Sequence, residues 1–271
     1  MRDLIIGFLL SLAISFVAYR GHSLSRSGVW GALLVGTLTF GFGGWVWGTL
    51  LIAFFVTSSL FSHYREEEKR YLAEKFAKGH RRDWGQVLAN GGLGALFALL
   101  YFFWREGLLF AAFLGSMAAV SADTWATELG VLSPQPPRLI TTGRMVPTGT
   151  SGGITLLGTI ASLAGGLAMG ATAYILLVVN GERGANLPSW LATISLGGGL
   201  VGSLFDSLLG ATFQGVYLCP ECSLETERVV HRCGNPTRHL RGWRWLNNDL
   251  VNLASSLAGA VTGSGLYLLT K

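Results

Sequence analysis

Apolar residues run along this chain in long blocks separated by shorter polar stretches. Eight blocks stand out, at residues 4–19, 28–42, 44–61, 87–104, 108–130, 152–179, 190–214 and 250–269. Runs of roughly 17–25 mainly apolar residues are long enough to cross a bilayer as helices. Only Gly41-Phe42-Gly43-Gly44 separates the second block from the third, so the count becomes seven if 28–61 forms one re-entrant unit. The first block ends in Ala18-Tyr19-Arg20, a poor cleavage site, which favours a helix over a signal peptide. The expected fold is an all-α polytopic membrane protein, a single transmembrane domain over 1–271 with about eight transmembrane helices.

Composition agrees with the pattern. Of 271 residues, 50% are apolar and 13% are charged, about half the charged fraction usual in a soluble domain. Gly is abundant (38) and Pro scarce (7), as in apolar helices that pack closely through small residues. The pI of 9.3 alone would also suit a nucleic-acid binder, but the placement of the charges points elsewhere. Sixteen of the 20 Lys and Arg residues fall in the connections 20–27, 62–86, 131–151 and 215–249, which share one side of an eight-span chain. The positive-inside rule makes that side cytoplasmic and leaves both termini outside, in a plasma membrane or its equivalent. Nucleic acid is not an expected partner; membrane lipid is.

Four acids lie in or beside apolar blocks: Asp123, Glu128, Asp206 and Asp249. A carboxylate deep in a span costs at least ~2.5 kcal/mol on insertion scales and commonly marks function. All four fall at the cytoplasmic ends of their spans, where one site would hold them together. Helical steps of three and four place Ser116, Val120, Asp123, Thr127 and Gly130 on one face. Gly199, Gly202, Asp206 and Gly210 form a second face, and Asn248, Asn252, Ser255 and Gly259, flanked by Asp249, a third. Helix packing explains the small residues but not the acids. Clustered hard oxygen donors suit Mg²⁺ shared with substrate phosphates, with Asp123, Asp206, Asp249 and Asn252 as ligands and Glu128 as a helper.

The connection 131–151 leads into the next span through Arg144, Pro147, Gly149, Thr150, Ser151, Gly152 and Gly153. Glycines there allow backbone N–H groups to face an anion at a helix N-terminus, with Arg144 adding fixed charge. An ordinary Ser/Thr helix cap is the competing explanation, and the spacing and lysine of a Walker A loop are absent. All three cysteines lie in 215–249, as Cys219-Pro-Glu-Cys222 and His231-Arg-Cys233. This Cys₃His spacing is that of a structural zinc knuckle, with His239 in reserve. An odd cysteine count on a reducing side argues against disulfides. The segment 62–86 is basic, with an acidic run at Glu66-Glu67-Glu68 inside it; it is either a nucleotide-attracting surface or a solvated helix.

Five stretches carry a family likeness: Gln86-Val-Leu-Ala-Asn90-Gly-Gly, Ala122-Asp123-Thr-Trp-Ala-Thr-Glu128-Leu-Gly, Pro147-Thr-Gly149-Thr-Ser-Gly-Gly153, Asp206-Ser-Leu-Leu-Gly-Ala-Thr-Phe-Gln214 and Asn247-Asn248-Asp249-Leu-Val-Asn252. In order and spacing they resemble the integral-membrane family of transmembrane protein 19 and the plant phytyl-phosphate kinase. A fainter similarity links them to membrane cytidylyltransferases and polyprenol kinases, although the Lys-containing loop of those enzymes is absent here. The resemblance implies a prenyl-phosphate kinase that transfers the γ-phosphoryl group of a nucleoside triphosphate, CTP being a candidate, to a phytyl-like monophosphate. It further implies Mg²⁺ at the acids and phosphates held by Asn90, Arg144 and the residues Gly149, Thr150, Ser151, Gly152 and Gly153. A cytidylyltransferase-like lipid-activating enzyme is the alternative, and an ion-coupled transporter or scramblase the more distant one.

Overall fold

The structure is a computed structural model and describes the chain apart from residues 1, 70–74, 76, 77, 80, 183–186 and 271. Three of the charges counted above, Arg70, Arg183 and Lys271, lie outside the described residues. Helix α1 (Arg2–Arg20) is followed by α2 (Arg26–Leu38), a π-helical turn at Thr39–Gly43 and α3 (Trp45–His63). After the short α4 (Glu66–Lys69) come α5 (Trp84–Trp104) and α6 (Gly107–Gly130). A two-stranded pairing of β1 (Arg138–Leu139) with β2 (Gly153–Ile154) leads into α7 (Leu156–Val179) and α8 (Leu187–Thr212). Strands β3 (Val216–Cys219), β4 (Leu224–Thr226) and β5 (Arg238–Arg241) precede the final helix, α9 (Asn248–Thr270).

Among the described residues, seven helices are long and apolar enough to cross a membrane. The remaining apolar block, 28–42, forms a composite helix. Helix α2 is only 13 residues, but the π-helical turn prolongs it by five, and 18 residues reach about 27 Å. This run lies antiparallel along α1: Gly41 meets Leu4, Gly7 meets Phe40, Gly36 meets Ser11, and the Ser23 N–H reaches the Ala18 carbonyl. Gly44, at φ 83°, turns the chain into α3, a conformation that glycine adopts without penalty. Helix starts follow capping chemistry. Ser25 caps α2, Asp83 and Gln86 form a capping box on α5, and Thr155 caps α7.

Helix α6 is the axis of the bundle, with every residue from Phe110 to Ala122 buried. Small residues let its neighbours approach closely. A methyl group on Gly198 would stand 2.9 Å from the Gly115 Cα, and one on Gly202 would overlap Ala119. The pairs 115/198 and 119/202 therefore run parallel, and one further step places Asp123 beside Asp206. Helix α9 returns antiparallel, through contacts of Gly263 with Ala111 and of Gly259 with Gly115 and Ala119. Gly202→Ala should lower thermal stability in detergent by about 1–3 kcal/mol through overpacking. Gly265→Ala, where a methyl meets nothing within 4 Å, should be neutral or mildly stabilising; equal melting temperatures would refute this packing.

The two ends of the bundle differ. At one end Trp47, Tyr101, Phe110, Phe113 and Trp190 pack edge-on or tilted, with Trp47 and Phe113 centroids 4.4 Å apart. This apolar core continues through Leu50, Phe54, Met117, Met169, Leu191 and Ile194. The other end is polar, and the connections 20–27, 62–86, 131–151 and 215–249 gather there. Ser25 bonds Arg82, Lys75 bonds Thr148, Glu227 N–H bonds the Lys75 carbonyl, and Arg241 donates to Gly210, Ala211 and Ser151 carbonyls. The 215–249 connection corrects the all-helical expectation locally, because it folds as a three-stranded antiparallel sheet of order β4-β3-β5. Its strands have only three or four residues, too few for an alternating pattern to stand out.

Candidate functional site

A cavity of about 710 Å³ opens at the polar end. Its wall brings together Asp123 and Glu128 from α6, Asn90 from α5, and Asp249 and Asn252 from α9. Gly149, Thr150, Ser151, Gly152 and Gly153 form another side, and Ser203 and Ser207 of α8 a third. Asp206 is not itself in the wall. It stands near enough to Asp123 and Glu227 to feel their charge, and its Oδ2 is buried with no hydrogen-bond partner. The Asp249 Oδ1 is likewise buried and unpartnered. Unpaired buried carboxylate oxygens are costly.

The basic residues of the site come from the 62–86 segment. Lys69 donates to Glu128 at 2.6 Å, and Ser62 donates to the other oxygen of Glu128 at 2.7 Å. Lys78 bridges Asp249 and Asp83, the latter at 2.9 Å. Burial alone would lower the Lys78 ammonium, but these two carboxylates outweigh it and hold it above its ordinary value. Arg82 is only 8% exposed and donates to Ser59 at 2.9 Å. Lys69, Lys78, Arg82, Gln214, Glu227 and Arg232 all line the cavity; the first three belong to the basic segment 62–86, but the sequence singles out none of the six individually. A charge run in a connection carries no periodicity that would show which way it faces. For Arg82 a signal was present, since it directly precedes the capping box that fixes its position at the end of α5.

One residue expected at the site, Arg144, is not brought to the cavity. Arg144 is exposed and stands outside the cavity wall. Leu139 N–H bonds its carbonyl at 2.9 Å, closing a turn at this point of the connection. Glu128, the helper expected from sequence, does line the cavity and is paired there with Lys69. The 149–153 turn is ordered by its own bonds. Gly149 and Gly152 have φ of 81° and 83°, Thr150 donates to the Pro147 carbonyl, and Ser151 donates to Glu227 at 3.1 Å. Ala211 leaves no room for a side chain at Gly152, so the turn docks directly on the end of α8. The cap of α7 is Thr155, not Thr150 or Ser151.

Cys219, Cys222, His231 and Cys233 bring one ligand atom each within 4.8 Å of one another, a group that could hold a metal ion. The Cys219 and Cys233 sulfurs are 3.7 Å apart, close to the edge of a tetrahedron with ~2.3 Å metal–sulfur bonds. Hydrogen bonds from the Asn235 backbone and His231 hold the Cys233 thiol down to about 6, while its contact with Cys233 pushes Cys222 up to about 12. His231 Nε2 is buried and unpartnered. His239 is not part of the group; its Nε2 bonds the Gly242 carbonyl at 2.9 Å.

The family described as integral membrane protein DUF92 matches residues 9–260. Protein PGR of Arabidopsis thaliana is 35% identical, over 94% of this chain and 92% of its own length. An uncharacterized membrane protein of Methanocaldococcus jannaschii is 30% identical, over 97% and 94% respectively. Protein VTE6, chloroplastic, of Arabidopsis thaliana is 28% identical, over 88% of this chain and 63% of its own length. No solved structure matches the chain.

Proposed function

The chain belongs to the integral membrane protein DUF92 family, and from that premise we propose that it is a Mg²⁺-dependent membrane kinase of a prenyl monophosphate. One observation supports this above the others: a single polar cavity lined at once by acids, by buried cations and by a glycine-rich turn. Two polyanions meeting at a metal ion need that combination. The plant phytyl-phosphate kinase likeness of the motifs supplies the substrate class.

Asp123, Asp206 and Asp249, with Asn252, would hold Mg²⁺, which when bound supplies charge neutralisation for the phosphates. Lys78 and Arg82 hold positive charge beside the reacting groups, and Asn90 and the 149–153 turn orient them. An oxygen of the prenyl phosphate attacks the γ-phosphorus of the nucleoside triphosphate. The new P–O bond forms as the bond to the β-phosphate oxygen breaks, and nucleoside diphosphate leaves. The attacking phosphate is already anionic at neutral pH, so positioning and electrostatics carry the catalysis and no strong base is required. The aromatic core behind the cavity is poorly suited to alternating access, which weighs against a transporter. In purified protein, release of nucleoside diphosphate should begin only when prenyl monophosphate is added; release indifferent to the lipid would reject the reading.

Zinc is the proposed occupant of the Cys₃His group. The polar end is proposed to face the cytoplasm, because it carries most of the Lys and Arg. A cysteine introduced at Thr148 should then be shielded from impermeant thiol reagents in intact cells, while one at Glu182 reacts. The reverse pattern would invert the topology.

A further inference from the structure

A second, smaller cavity of about 70 Å³ lies between α1, α2, α3 and α5, walled by Ile14, Ala32, Leu51, Ile52, Phe55 and Val87 among others. Apart from two serines of α1, its polar wall residues are Arg82, Gln86 and Asn90, and these three also line the polar cavity. The two spaces therefore meet at one cation and two amides. Arg82 is buried there, with its guanidinium 5.4 Å from the centroid of Phe55. Among the described residues no carboxylate lies within ion-pair distance of it. The Glu128 carboxylate is near enough for its charge to act on Arg82 but is itself bonded by Lys69 and Ser62, so the buried guanidinium has no directly bonded anion, and a phosphate is well matched to its planar donors.

We propose that this junction is the acceptor-lipid site: the phosphate of a phosphorylated lipid sits against Arg82, Gln86 and Asn90, and its chain enters the cavity between α1, α2, α3 and α5. The identity of that lipid as the phosphoryl acceptor rests on the kinase reading; the site itself does not. The small cavity has room for a short branched segment, so the rest of the chain extends into the bilayer. The outer faces of α1 and α2 suit that environment, with Phe16, Val17 and Trp30 more than 60% exposed. The nucleotide is then left the opposite side of the polar cavity, toward the 149–153 turn.

The test uses the intact protein in lipid nanodiscs and a prenyl monophosphate carrying a diazirine on its first isoprenoid unit. Crosslinks should map to 11–15, 32–36, 51–55 and 86–91. They should be competed by unlabelled geranylgeranyl monophosphate and not by the corresponding alcohol. Arg82→Gln should lower labelling about tenfold, as expected for losing a charge-assisted contact, with Arg82→Lys retaining part of it. Crosslinks confined to α7–α9, or equal competition by the alcohol, would overturn the site. Because labelling needs no turnover, the two readings fail separately. Labelling as expected without phosphoryl transfer supports the site and rejects the kinase, whereas transfer with labelling elsewhere rejects the site alone.

Discussion

Asp123→Asn and Asp206→Asn should each reduce lipid-dependent nucleoside diphosphate release by about two to three orders of magnitude, the scale of losing one preorganised electrostatic element. Both variants should fold. Asn keeps the shape and the hydrogen-bonding capacity of Asp and removes the charge that would hold Mg²⁺. It also relieves the repulsion between Asp123 and Asp206, so melting temperature should be unchanged or higher. Raised Mg²⁺ should restore part of the rate. A purely structural role for these acids predicts the opposite pattern, with stability lost and activity falling only in proportion to unfolded protein. Activity with D123N and D206N and melting curves of the same preparations separate the two.

Cys222→Ser should give the second large effect. Gently purified protein is expected to hold about one Zn²⁺ per chain, and the variant to lose it. A structural zinc is part of its domain's folding free energy, and zinc-finger peptides gain an apparent ~10–16 kcal/mol from it. Here the loss should be local. The sheet of β3, β4 and β5 should become protease-sensitive, while the helices packed around α6 stay intact. Activity should fall as well. Gln214, Glu227 and Arg232 line the cavity from this connection, and Arg241 ties it to α8 and to the 149–153 turn. Metal analysis and limited proteolysis check both halves. A stoichiometric disulfide without metal would refute the zinc assignment.

Much of this architecture was legible in the residues because lipid-facing helices leave a strong one-dimensional trace. The parallel faces of α6 and α8 appeared as steps of three and four, and the same steps set Asp123 opposite Asp206. The cysteine spacing prescribed a ligand group that the β3–β4 turn and the β4–β5 connection assemble together. Other features depend on three-dimensional closure. Lys69 and Lys78 reach Glu128 and Asp249 across long separations in sequence, and no local pattern in a polar connection records those contacts. Arg144 shows the same limit: proximity to glycines in sequence suggests an anion site, but Arg144 is exposed and does not line the cavity that the glycines line. The π-helical turn at Thr39–Gly43 prolongs α2 by five residues, a device that block length alone does not reveal.

The central claim is transfer of a γ-phosphoryl group to a lipid phosphate, and the position of an isotopic label tests it most directly. Purified protein with Mg²⁺ and a prenyl monophosphate would be incubated in parallel with CTP or ATP labelled at the γ- or the α-phosphate. The account predicts that γ-label enters the organic phase as prenyl diphosphate, α-label stays in water as nucleoside diphosphate, and D123N abolishes both changes. Recovery of α-label in the lipid with release of pyrophosphate would contradict it and identify a cytidylyl transfer instead.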